Sequence, residues 1–261
     1  MKTSAKLLSA LLLSGLTVVA QAADPAKPVA IPQVSDQWSF SITPYLWAVN
    51  AKADIYYKDR LVSNPSMSTS DMMAKLQFAF MAEGEVHKGN FGFAANLLYS
   101  RLGDSNAKMH GQVDLGSSTT MQMGVYNLAA TYTVYNTNNA YIDALAGARI
   151  FYNGVKTDVN VEGTPRDATM NSSSTSVNPI VGLKGRVRIS DSDYFVPFYA
   201  DVGGGAGNVQ VTSQVMFGIG RAYDWGDLTL MANNLYYKMK VDNVTTNLDM
   251  YGAQVGVTFK F

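Results

Sequence analysis

Three observations predict an all-β fold, a transmembrane antiparallel up-and-down β-barrel of about ten strands. Between residue 38 and the last residue, short segments alternate apolar and polar side chains with period two, the pattern of strands with one apolar face. The connections between them alternate short and long, as turns and loops do at the two rims of a membrane barrel. Aromatic residues also cluster at segment ends. Trp38, Phe91, Tyr194, Trp225 and Phe261 fall at one set of ends, and Trp47, Tyr99, Tyr152 and Tyr236 at the other, where interfacial girdles belong. Eight strands is the alternative, because the glycine-rich hairpin after residue 203 and the segments following it alternate least regularly.

Composition narrows the function classes. Lys and Arg number 20 against 20 Asp and Glu, so the charge balance points to no nucleic-acid or polyanion partner. Charged residues make up only 15%, and there are 15 tyrosines and no cysteine. The missing thiols exclude disulfides, thiolate chemistry and a lipid anchor on cysteine.

Residues 1–22 read as a secretory signal peptide, with Lys2 and Lys6 before an apolar run and Ala20-Gln21-Ala22 as the cleavage site. Residues 23–37, with Pro25, Pro28 and Pro32, read as a short extended periplasmic arm. The barrel domain is 38–261. No later segment has the continuous apolar length of a membrane helix, so membrane residence requires a closed barrel.

The first strand, 38–48, sets Phe40, Ile42, Pro44 and Leu46 against Ser39, Ser41, Thr43 and Tyr45. Pro44 lacks a ladder donor and marks an edge or bulge. A long polar segment is expected over 50–74. Strands follow at 76–87, with Glu83, Glu85 and His87 inward, and at 91–101, across a Lys88-Gly89-Asn90 turn. After a polar loop at 103–118 come strands 120–135 and 140–153, the latter with Asp143 and Arg149 inward. The longest Ser/Thr-rich loop is expected over 156–176. The sixth strand alternates most clearly, Val181, Leu183, Val187 and Ile189 opposing Gly182, Lys184, Arg186 and Arg188. Strands 194–203, 209–223 and 228–240 and a loop at 242–247 lead to the last. There Tyr251, Ala253, Val255, Val257, Phe259 and Phe261 oppose Gly252, Gln254, Gly256, Thr258 and Lys260.

The predicted lumen charges are Glu83, Glu85, Asp143, Arg149, Lys184, Arg186, Arg188, Asp201 and Lys260. Opposite charges in a narrow, poorly solvated space should pair. Asp201 should lie near Gly182 and diagonally near Lys184. Such charges either fill and rigidify the barrel or line a constricted pore. His87 reads as a solvated turn residue at the periplasmic rim. His110, in a loop with Asp114 near in sequence, is the remaining histidine. Neither has the neighbours a catalytic pair requires, so no enzyme activity, metal or cofactor is expected.

The runs Ser41-Ile42-Thr43-Pro44-Tyr45-Leu46-Trp47-Ala48, Ala146-Gly147-Ala148-Arg149 and Asp201-Val202-Gly203-Gly204 resemble a group of proteobacterial outer-membrane barrels of mostly unassigned function. They are broadly similar to the OmpA-type and OmpW-type small barrels. The resemblance implies a Gram-negative outer-membrane location, bilayer lipid as surroundings and a monomer. It also makes Tyr251, Val255, Val257, Phe259 and Phe261 the C-terminal signal read by the barrel-assembly machinery. The expected role is structural or surface-interacting, with or without a narrow pore. The alternatives are a passive channel for small solutes and an adhesin or receptor acting through the loops at 50–74 and 156–176. Fold alone does not choose among them.

Overall fold

The computed structural model describes residues 30–104, 116–160, 167–205 and 207–261; the expected signal peptide and His110 lie outside them. Ten long strands form the wall: β1 (Ser39–Tyr57), β4 (Leu76–Lys88), β5 (Phe91–Asp104), β6 (Gly116–Asn136), β7 (Ala140–Asn160), β8 (Asp167–Arg188), β9 (Tyr194–Gly203), β10 (Val209–Tyr223), β11 (Gly226–Val241) and β12 (Val244–Lys260). Two short strands, β2 (Arg60–Ser63) and β3 (Ser66–Met67), and one helix, α1 (Thr69–Lys75), lie between β1 and β4. Each wall strand pairs antiparallel with the next, and β12 returns to β1, which closes the barrel. At the seam the Phe40 N–H donates to the Phe261 carbonyl at 3.1 Å, and the Phe261 N–H to Phe40 at 2.9 Å.

Period-two alternation decides which side chains meet the bilayer. Phe40, Ile42, Leu46, Phe78, Phe80, Phe93, Leu128, Leu183, Phe217, Leu230 and Val255 all stand exposed on the outer surface. Neighbours one residue away, such as Tyr45, Asn127, Lys184 and Gln254, are buried in the lumen. A closed sheet leaves no unpaired edge in hydrocarbon, and an apolar outer belt is stable only there. At the end that holds the short turns, Trp38, Phe91, Tyr194, Trp225 and Phe261 are all exposed, as an interfacial girdle must be. Trp47 does not join the opposite girdle. It faces inward and is buried, because inward and outward positions alternate and Leu46 already takes the outward place.

The expected loops are largely strand. β1 continues to Tyr57 and turns at Lys58-Asp59, both with positive φ (46° and 65°), as a two-residue hairpin turn demands. Ser68 caps the start of α1, and with Asp71 it forms a capping box. The described parts of the 156–176 stretch, 156–160 and 167–176, belong to β7 and β8, which pair from Ala140↔Val187 to Asn160↔Asp167. Residues 242–247 hold only a turn at Asp242-Asn243 before β12 begins. Ser/Thr-rich composition suggests loops, yet threonine is a good strand residue, and serine joins a strand where a neighbouring strand satisfies its backbone.

Two local features shape the lumen. The β1–β4 pairing runs from Ser39↔His87 to Pro44↔Ala82 and stops there, so Pro44 ends one half-seam of the wall. Residues 30–37 fold back against the barrel mouth instead of extending away from it. Ala30 and Ile31 are buried, Ala30 beside Phe195 and Ala222. The Asn136 amide donates to the Pro32 carbonyl at 2.8 Å, and the Gly89 N–H to the Ser35 carbonyl at 2.8 Å.

Candidate functional site: the lumen

The lumen has three layers. The first, nearest the arm, holds a cavity of about 250 Å³ lined by Glu83, Glu85 and His87 of β4, Lys184 and Arg186 of β8, and residues 32–35. Lys184 forms an ion pair with Glu85. The His87 Nε2 lies 3.4 Å from Glu85 and 3.8 Å from Asp143, and its Nδ1 is 3.3 Å from the Tyr141 hydroxyl. Asp143 is wholly buried and accepts hydrogen bonds from Thr133 at 2.8 Å and Tyr141 at 2.9 Å. His87 is therefore an inward, half-buried member of a polar cluster, not a solvated turn residue. Gly92 leaves the space its ring occupies, since a Cβ there would strike the imidazole. Asp227, also wholly buried, accepts from Arg186 at 2.8 Å and Lys260 at 2.7 Å.

The second layer crosses the middle of the barrel. Arg149 is wholly buried. Its Nε donates to Asn127 at 2.8 Å and its terminal nitrogens to Thr212 at 2.9 Å, Gln214 at 2.9 Å and Asp201 at 2.5 Å. Tyr199 also donates to Asp201. The chain of amides continues from Gln214 to Asn233 at 3.1 Å and from Asn233 to Gln254 at 2.8 Å. One guanidinium thus ties β6, β7, β9 and β10 together, and the amides carry the tie to β11 and β12. A buried charge is tolerable only with such partners, and a network of this kind rigidifies what it spans, although the Asp201 Oδ1 has no partner among the described residues.

The third layer is apolar. Tyr45, Trp47 and Val49 of β1 pack with Leu98, Val125, Phe151, Val209, Leu235, Tyr237 and Met250, all buried. Met81, Met123 and Met239 pack against this cluster from the wall, and Met72 from α1. The Phe151 and Tyr237 rings meet at a 40° tilt with centroids 4.7 Å apart. None of these side chains lines the cavity of the first layer.

The predicted lumen residues separate into groups. Glu85 meets Lys184 and Arg149 meets Asp201, while Arg186 and Lys260 share Asp227. Glu83 lines the cavity beside Glu85. Arg188 stays at the turn, where its Nε donates to the Ser192 carbonyl at 2.8 Å. Asp201 lies opposite Gly182, but its partner is Arg149 rather than Lys184. Asp227, Gln214 and Asn233 were not singled out from the sequence. Alternation started at Gly226 would have turned Asp227 and Asn233 inward; beginning that strand at residue 228 hid the first. Tyr251 and Val255 of β12, and Phe261 just after it, are exposed on the outer face, and Phe259 lies beside Trp225.

No family model matches the chain, and no curated protein does. Solved outer-membrane barrels are similar at low identity. Ail, the attachment invasion locus protein of Yersinia pestis, is 13% identical over 85% of this chain and 98% of its own, with a TM-score of 0.35. The outer membrane protease OmpT of Escherichia coli is 10% identical over 88% and 99%, with a TM-score of 0.44. Neisserial surface protein A is 13% identical over 85% and 97%, with a TM-score of 0.28. From its own wall, a closed ten-stranded antiparallel sheet with an apolar outer belt, this chain has the fold of a membrane-spanning β-barrel with its own side chains in the lumen.

Proposed function

We propose that this protein is a closed barrel of structural, surface-interacting type, and that it meets its partners through the part of β6, β7 and β8 that rises beyond the rim. The observation that carries this reading is the apolar third layer. Side chains from β1, β4, β5, β6, β7, β10, β11 and β12 meet there, and Met72 of α1 covers them. Such packing excludes water and ions, since close-packed interiors leave few voids wider than a water molecule. The cavity near the arm supports only a vestibule, because its lining includes none of this cluster. The reading includes no catalytic step. In it the barrel is a monomer, and the outward face of β12, with Tyr251, Val255, Val257, Phe259 and Phe261, serves as the segment recognised by the assembly machinery.

Planar-bilayer recording of the refolded protein tests it. A silent bilayer is expected for the wild type, with folding verified by heat-modifiable migration on gels. Stable, discrete conductance steps from wild-type protein would overturn the closed-barrel reading in favour of a channel.

A further inference from the structure

The rim of the barrel is uneven. β9 ends at Gly203, opposite Ile180, whereas β8 began far above that point, at Asp167. Residues 171–178 of β8 pair with β7 on one side, from Lys156↔Asn171 to Arg149↔Asn178. On the other side no described strand pairs with them. The Pro179 carbonyl accepts from the Gly204 N–H at 3.2 Å, so it points toward the β9 side. Backbone groups alternate direction along a strand, so those of Asn171, Ser173, Thr175 and Val177 point the same way, and no described strand meets those of Asn171, Ser173 and Thr175. Side chains at 171–175 are exposed on both faces, which sets this length of β8 above the lumen and in water.

Edges of this kind are normally blunted by lysine, proline or a bulge, because a free ladder invites another strand. Residues 171–178 contain none of these: the sequence is Asn-Ser-Ser-Ser-Thr-Ser-Val-Asn. At their foot Asn178 is wholly buried, and its Oδ1 has no hydrogen-bond partner among the described residues.

We infer that the open edge of β8 at residues 171–178 is a strand-addition site for an extended, uncharged segment of another polypeptide, running antiparallel to β8 in the line that β9 would follow if it were longer. The inference rests on the surface-interaction reading and names its partner class. Main-chain hydrogen bonds would hold the segment along about 25 Å of edge, at ~3.3 Å per residue. The exposed Val177 side chain supplies one apolar contact on the outer face. The edge carries no charge, so a charged segment would gain no ion pair and would lose hydration. A second copy of this chain does not fit. Copies inserted the same way in one membrane all run β8 in the same sense, so their edges cannot meet antiparallel.

The test uses the folded barrel in detergent micelles and a fluorescein-labelled peptide carrying the sequence of residues 171–178, which has the proposed chemistry. Fluorescence anisotropy should show saturable binding. Ser173→Pro removes an edge-facing N–H without touching the β7 ladder, and should weaken binding at least tenfold while heat-modifiable migration is kept. Peptides N-methylated at alternate residues should fail in one phase of the alternation and bind in the other. An unbound wild type, or equal binding by S173P, overturns the inference. Sedimentation showing a wild-type dimer that S173P dissolves would assign the edge to a second copy instead, and equally overturn it. Loss of peptide binding with a silent bilayer defeats this inference alone, whereas a conducting barrel defeats the reading beneath it.

Discussion

Arg149 is the residue on which most of the lumen depends. Its four acceptors lie on three strands besides its own, and it is wholly buried. Arg149→Ala should destabilise the barrel by about 3–5 kcal/mol, because Asp201 is then left charged and unpaired. Arg149→Leu combined with Asp201→Leu should recover most of that loss. Urea titration of the barrel in micelles measures both, and additive losses in the double variant would refute the pairing. Asp71 offers a test by pH. Hydrogen bonds from the Ser68 hydroxyl and N–H hold its carboxyl below the ordinary range. A lowered folded-state value means the capping contribution is present above the unfolded value and lost as pH falls through the folded one. Amides in the first turn of α1 should exchange faster below about pH 4, and an Asp71→Asn variant should not show the change. Arg149 and Asp201 could be recognised in the sequence as inward charges. That they would choose each other could not, since the choice depends on how the barrel curves and which strands face across it.

At the scale of elements, alternation was the readable signal and strand ends the unreadable one. Period two alone sets Leu183 on the apolar face of its strand, and it is exposed on the outer surface, as is Leu128 of β6. Leu183→Arg should lower stability by roughly 2–4 kcal/mol if it sits near the bilayer midplane. Unfolding in lipid vesicles reports this, and an unchanged variant would reverse the facing of β8. The upper halves of β7 and β8 were hidden because their Ser, Thr and Asn residues satisfy loop and strand propensities equally. Only the partner strand resolves that ambiguity, and the partner is not local information. The same cause hid the tight Asp242-Asn243 turn, where polar residues on both sides extend the strands instead of a loop. Trp47 shows a different failure. An aromatic near a strand end suggests a girdle, but the face it occupies is decided by parity, and parity placed it with Tyr45.

For the whole molecule, the apolar third layer is, on the proposed reading, the seal between the two rims. Trp47→Ala should cost about 3–5 kcal/mol through the void it leaves. In a planar bilayer it should introduce brief openings absent from the wild type, and a silent, equally stable variant would show that the cluster is not the seal. The closed wall itself also has one uneven seam. Below Pro44, β1 is held by β4 and β12; at residues 45–50 the only wall strand pairing with it is β12, and the Val49 carbonyl instead accepts the Thr69 hydroxyl at 3.0 Å. Parting the wall there breaks a helix contact rather than a row of ladder bonds. In time rather than space, the barrel therefore has a preferred place to breathe. Its slowest-exchanging amides should lie in the long β6–β8 ladders, and its first excursions from closure should begin between β1 and the upper part of β4.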